Sequence, residues 1–352
     1  MMLPRYDVTK SWQWNLDNAP DALPADRLPS VVAVSGDWTW CGLPVESPLG
    51  IPAGPLLNGR WLLYYASLGF DILVYKTVRS SARECYPLPN LVPVKTGPLL
   101  QSGEILPEFW WMSGSWAVSF GMPSQPPDDW RNDVQQTRQN LPAGKVLVVS
   151  VVGTQDVSLT DPGESLTQLA DDFAQCAAWA VDAGAHGVEA NFSCPNVSTA
   201  DGQLFQQPAD AAFVAEHIRK AIGRVPLVIK IGKVATKKDA EVLVESLSPW
   251  IDGLAMTNSI AARVRGKDDS LLFDGQPRGI CGDATRVASI EQTRMFSRIV
   301  TERGLPLHLI GVGGISTAQH VHDYLAAGAS SVALATAPMV DPLIGVRIRE
   351  AM

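Results

Sequence analysis

From about Pro48 onward the chain alternates short apolar runs with stretches of helical spacing, the pattern of repeated βα units. Eight runs read as strands: residues 50–54 (GIPAG), 71–77 (DILVYKT), 146–153 (VLVVSVVG), 187–193 (GVEANFS), 226–232 (PLVIKIG), 253–259 (GLAMTNS), 307–314 (LHLIGVGG) and 331–337 (SVALATA). Between them the apolar positions recur at helical spacing. Ala240, Leu243, Val244 and Leu247 share one stripe, and Thr236 with Asp239 supplies a capping-box start. Leu166, Leu169, Phe173, Ala177 and Ala180 form the stripe of another helix. One motif recurs where helix passes into strand, at 67–75 (SLGFDILVY), 182–190 (DAGAHGVEA) and 326–334 (AAGASSVAL). Its glycine suits the left-handed residue that ends a helix.

These units predict an α/β fold, a (β/α)8 TIM barrel over residues 46–352 with an aromatic-rich insertion that includes 107–116 (PEFWWMSGSW). No GxGxxG opens the first unit, which counts against a two-domain dinucleotide-binding protein. Residues 1–45 are rich in Pro, Asp and Trp and read as an N-terminal extension ending in a hairpin at 35–45 (SGDWTWCGLPV).

Composition narrows the function. A net charge of -8 argues against a broad nucleic-acid surface. No secretory signal and no apolar run of membrane-spanning length is visible, so no membrane partner is expected. The five cysteines are scattered, with no CxxC pair, and His320 and His322 do not share a helix face. No metal site is expected, and a reduced cytoplasmic setting fits.

Chemistry in such barrels gathers at the C-terminal ends of the strands. Those ends carry Ala53-Gly54, Lys76-Thr77, Asn191 to Asn196, Lys230, Asn258-Ser259, Gly313-Gly314 and Thr336. The turn at 311–317 (GVGGIST) lets backbone N–H groups approach an anion, and its place after the seventh strand points to a ligand phosphate. In 191–196 (NFSCPN), Pro195 ends the strand and leaves Cys194 at the root of a polar loop, between two carboxamides suited to a planar heterocycle. An inert buried thiol is the alternative. Lys76 and Lys230 end apolar strands and need partners. They admit two readings, a salt bridge at the barrel rim or contact with the electron-rich edge or the phosphate of a bound cofactor.

Taken together, NFSCPN, the Lys76 strand, the Lys230 strand, TNSI (257–260), RGICGD (278–283), IGVGGIST (310–317) and PLGIPAGPL (48–56) resemble the dihydroorotate dehydrogenases, from about residue 40 to the C-terminus. Cysteine in NFSCPN resembles the soluble class 1 enzymes. Dihydropyrimidine dehydrogenase and dihydrouridine synthase share parts of the pattern, but a tRNA-modifying reductase would want an added basic surface.

The resemblance implies FMN, with its phosphate on Gly313, Gly314, Ala335 and Thr336, and its ring system meeting Ala53, Gly54, Lys76, Thr77, Asn191, Lys230 and Gly279. It implies a pyrimidine substrate held by Lys76, Asn191, Asn196, Asn258 and Ser259, with backbone N–H groups of Phe120, Gly121 and Met122 on its carboxylate. Cys194 is implied as the base while hydride passes to flavin N5, giving orotate from dihydroorotate. A homodimer is implied, and the electron acceptor is left open between fumarate, a nicotinamide route through a partner subunit, and another. Three departures stand out: Val118 where the family has a substrate-binding asparagine, a long segment from Lys76 to Ser119, and Cys281 in a glycine-rich stretch. They leave open the same flavin chemistry on a different cyclic or unsaturated substrate. A cofactor-free barrel, either a lyase using Lys230 or a binding protein, is the reading from another class, and flavin absorbance separates it from the others.

Overall fold

The computed structural model describes residues 3–97, 100–112, 114–193 and 203–352. Eight parallel strands close into a barrel: β1 (Leu49–Ile51), β2 (Ile72–Val78), β3 (Val146–Val151), β4 (Gly187–Asn191), β5 (Leu227–Lys230), β6 (Gly253–Met256), β7 (His308–Val312) and β8 (Ser331–Ala333). Around it run α1 (Gly59–Ala66), α2 (Pro127–Asn140), α3 (Pro162–Asp182), α4 (Pro208–Ile222), α5 (Lys237–Leu247), α6 (Arg286–Glu302), α7 (Ala318–Ala326), α8 (Thr336–Val340) and α9 (Ile344–Ala351). All eight expected strands are present. All but β2 stop two to four residues short of their expected ends; after β1, Pro52 has no N–H to continue a ladder, and the chain after Ala333 turns directly into α8.

Local signals hold in detail. Thr236 caps α5, accepting from the Asp239 N–H at 3.2 Å. The three recurring glycines, Gly69, Gly184 and Gly328, have φ of 89°, 100° and 99°, the left-handed region their motif requires. The expected hairpin pairs Trp38–Trp40 with Leu43–Val45 through Cys41 and Gly42, both at positive φ. Its Trp40 joins Ile72, Val74, Val146, Val148 and Val228 in the apolar cluster inside the barrel, closing its N-terminal end.

The C-terminal mouth is covered by something the sequence pattern did not announce. Three strands of the aromatic-rich insertion (Leu91–Pro93, Ile105–Pro107, Ser115–Val118) and two after β6 (Ile260–Arg265, Arg278–Gly282) form one five-stranded sheet. A short N-terminal helix (Trp12–Asp17) docks on the start of α1: the Trp61 Nε1–H donates to the Asn15 carbonyl at 2.9 Å and the Asn58 side chain to the Leu16 carbonyl at 2.9 Å. Among the described residues no helix is long and apolar enough to cross a membrane.

Candidate active site

Side chains alternate sides along a strand, so the inward-facing row Ile72, Val74 continues to Lys76 on β2, and Val228 continues to Lys230 on β5. The same period carries Glu189 and Asn191 to one side of β4, where Asn191 is the register partner of Lys230. An apolar barrel interior therefore ends in a ring of polar groups at its mouth. In β2 the register with β3 shifts between Tyr75 and Val78, the kind of irregularity that re-aims a side chain, here Lys76 and Thr77.

Two adjoining cavities occupy the mouth. The first, of about 140 Å³, is lined by Ala53, Gly54, Lys76, Thr77, Asn191, Lys230, Asn258 and Ser259, with Val118, Phe120, Gly121 and Met122 from the covering sheet and the turn beyond it. The second, of about 330 Å³, is lined by Gly282, Gly313, Gly314, Ala335 and Thr336. Asn258, Cys281, Val312 and Ala335 line both, so the two read as one slot with a polar glycine-walled end. The structure thus brings together every described site residue named above except Gly279. That residue sits in a sheet strand, paired with Val118 and Ala261, while its neighbours Cys281 and Gly282 reach the slot. Cys194 and Asn196 lie outside the described residues.

The backbone just before Cys194 is nevertheless fixed. The Ser193 N–H donates to the Asn191 side-chain oxygen at 3.2 Å, and the Asn258 amide donates to the Ser193 carbonyl. These carboxamides have a structural duty besides any ligand they hold. Gly121 and Met122 both adopt positive φ, 74° and 52°, and this turn lines the slot. At the far end, Gly314 has φ of 66°, and a Cβ there would stand 2.7 Å from Arg286 Cβ and 2.9 Å from the Gly282 carbonyl. Only glycine fits that turn.

Electrostatics separate the cysteines. Cys281 faces the slot, but burial pushes its thiol up to about 11 against the opposing effect of hydrogen bonds from Thr336 and to Trp116. Cys85 is likewise pushed up to about 11 by burial, even with Lys76 close by. Both stay protonated near neutral pH. Lys230 pairs with Glu189 at 3.7 Å, with both side chains buried. The rim salt bridge and the place in the slot are therefore both real, because Lys230 does both.

A family model for dihydroorotate dehydrogenase matches residues 37–352. The chain belongs to the dihydroorotate dehydrogenase family. Its relatives include the dihydroorotate dehydrogenase of Dictyostelium discoideum, 30% identical over 98% of this chain and 96% of that one. The catalytic subunit of dihydroorotate dehydrogenase B (NAD(+)) of Bacillus pumilus is 31% identical over 58% of this chain and 60% of its own. A DHODH of Eimeria tenella, crystallised with ferulenol, superimposes with a TM-score of 0.70 at 16% identity, covering 96% of this chain and 88% of that one, and shows the same fold. Family membership makes this an oxidoreductase, and the slot lies where dihydroorotate dehydrogenase motifs converge in this chain.

Sequence reasoning missed three residues of this dihydroorotate dehydrogenase-family site. Glu189 was legible, since it shares its strand face with Asn191 at a spacing of two. Trp116 and Trp12 also line the slot; Trp116 closes the aromatic-rich 107–116 segment, which was singled out without a role for that residue, and Trp12 sits in no motif. Of the aromatic insertion, Trp110 and Trp111 are 77% and 61% exposed and line none of the slot, so Trp116 is the tryptophan of that segment which the site uses.

Proposed function

We propose that the chain is an FMN-dependent dihydroorotate dehydrogenase of the class 1 type, oxidising dihydroorotate to orotate with Cys194 as base. One observation carries the reading: a slot with two lysines and two carboxamides at one end runs continuously into a glycine-walled pocket at the other. That is the shape and polarity of a flavin mononucleotide, a flat electron-poor ring joined to a phosphate.

The residues present fit the group. A Cβ built on Gly54 meets no atom within 4 Å, so this wall is bare where a flat ring would lie against it. The turn at Gly313-Gly314 has room for a phosphate but not for side chains of its own. Ala335 and Thr336 would complete the phosphate site, and Lys76, Thr77, Asn191 and Lys230 would border the ring, with positive charge favouring its reduced form. Bound there, FMN supplies the two-electron acceptor.

The chain's own residues do the rest. Asn191, Asn258 and Ser259, with Asn196 beyond the described residues, hold the pyrimidine by its carbonyl and N–H edges. The turn at Phe120, Gly121 and Met122 takes the carboxylate. Cys194 removes one proton from a ring carbon while the adjacent carbon gives up a hydride, which balances to orotate. The covering sheet and the N-terminal helix keep bulk water from the ring. A homodimer in a reduced cytoplasm belongs to the same proposal, as does an acceptor taken from small molecules or a partner subunit.

Purified protein is expected to be yellow, to release about one FMN per chain on heating, and to bleach when mixed anaerobically with dihydroorotate. Colourless protein that cannot be reconstituted with FMN defeats the proposal. Bleaching by a different cyclic substrate, with dihydroorotate inert, leaves the flavin and removes the substrate.

The bare wall at Gly54 gives a second test. Gly54→Ala adds a Cβ with no protein atom within 4 Å, so the apoprotein should keep its stability within about 0.5 kcal/mol. FMN affinity, read by quenching of flavin fluorescence, should fall roughly tenfold, the cost of a modest overpacking. Unchanged affinity would place the ring elsewhere.

A further inference from the structure

Trp12 is 6% exposed, yet its indole Nε1–H is buried with no hydrogen-bond partner, and the residue lines the slot beside Pro52, Leu57, Phe120 and Met339. Buried donors are nearly always paired, and an orphan in a native site asks for an explanation. We infer that Trp12 is a ligand-binding residue of the slot, its indole N–H donating to an acceptor oxygen of the bound ring, and so a determinant of which ring is taken.

The position is not accidental looseness. Trp12 opens the N-terminal helix, whose N-cap Ser11 accepts from the Trp14 N–H at 3.1 Å. Trp61 and Asn58 of the β1–α1 region hold the helix from below, and the Tyr64 hydroxyl donates to the Pro4 carbonyl at 2.7 Å. The segment is thereby fixed onto α1 and its N-cap Asn58, at the end of the loop that carries Gly54. Trp12 also precedes residue 37, where the match to the family model begins, so nothing in the family motifs assigns it a role.

An indole N–H donates and cannot accept. Its partner is therefore an acceptor such as a carbonyl or carboxylate oxygen, and never another N–H. Such oxygens occur on the pyrimidine substrate and on the pyrimidine edge of the flavin, and the inference rests on the function proposed above for either to be present. The slot that Trp12 lines also carries the apolar residues Pro52, Leu57, Phe120 and Met339, and a hydrogen bond made at a site shielded from water is strengthened, while a ring that lacks the acceptor is penalised.

Trp12→Phe removes the N–H and keeps an aromatic ring. Trp61→Phe is the control, since it removes an indole N–H that serves the helix and not the slot. Two quantities are read in wild type and both variants: the Kd of FMN for apoprotein, by flavin fluorescence, and the Kd of orotate for holoprotein, by the perturbed flavin spectrum. Trp12→Phe is expected to weaken one of them roughly 5- to 30-fold, the range of a neutral buried hydrogen bond, while Trp61→Phe lowers the Tm and leaves both. Weakened orotate binding assigns the oxygen to the substrate, and weakened FMN binding assigns it to the flavin. If both constants match wild type in Trp12→Phe, the inference is overturned while the proposed function stands. An equal loss in Trp61→Phe overturns it too, because loosening of the segment then accounts for the effect. Wild-type protein that binds no FMN overturns this inference and the proposed function together.

Discussion

Cys194→Ala is expected to keep FMN bound and to slow bleaching by dihydroorotate at least ~10²-fold, the contribution of a positioned base to breaking a C–H bond. The structure supports this choice from its surroundings. Ser193, the preceding residue, is tied to Asn191 on one side and Asn258 on the other, and both of these line the slot. The thiols that are described make poor substitutes. Cys281 touches the slot but is held protonated by burial, near 11, and Cys85 likewise. Burial also raises Cys41 and Cys176 well above the usual thiol range, and neither lines the slot. No second cysteine should therefore rescue the variant between pH 7 and 9, where a raised thiol stays neutral. Stopped-flow traces at several pH values check this. A wild-type rate in Cys194→Ala would make the cysteine a structural residue and return the base to another group.

Much of the barrel was legible because its signals are local. A strand buried on both faces must be an apolar run, a helix must show its stripe, and the helix end at Gly69, Gly184 or Gly328 must be glycine. Site residues were legible for a related reason: Lys76 and Lys230 break apolar runs at their last inward position, where only the mouth can accept a charge. What escaped notice is non-local. The covering sheet joins Leu91–Pro93 and Ser115–Val118 to Arg278–Gly282, partners more than 150 residues apart in the chain, through strands of three to six residues. Residues 260–265 do alternate buried with exposed, but so short a run does not reveal what it pairs with. The N-terminal segment was opaque for the same reason. Trp12 and Tyr6 look like exposed aromatics in a polar extension until the barrel that buries them is present.

Val118→Asn is expected to raise kcat/KM for dihydroorotate by roughly 5- to 150-fold, and the reason lies in what valine presents to the slot. Val118 ends its sheet strand half-buried, paired with Leu91 and Gly279, and lines the slot next to Phe120, Gly121 and Met122. Its neighbours on the backbone are spent. The Ser119 N–H donates to the Asn90 carbonyl at 2.8 Å, and the Asn90 amide returns to the Ser119 carbonyl at 2.9 Å. Those backbone groups are therefore not left over to replace a missing carboxamide, and of the tryptophans in that segment the exposed Trp110 and Trp111 line none of the slot while Trp116 does. A polar edge of dihydroorotate against valine loses one partner, which costs about 1–3 kcal/mol, and 1.36 kcal/mol corresponds to tenfold in rate. Asparagine at this position restores the partner, with a side chain of similar size on a strand that already exposes it to the slot. The gain should be larger in a Trp12→Phe background if the two donors serve the same oxygen, and equal in both backgrounds if they serve different ones. Steady-state kcat/KM for the four proteins of that cycle gives the answer. A loss in Val118→Asn would mean that this wall is meant to be apolar, and that the ring it admits carries a hydrocarbon edge where dihydroorotate carries a polar one.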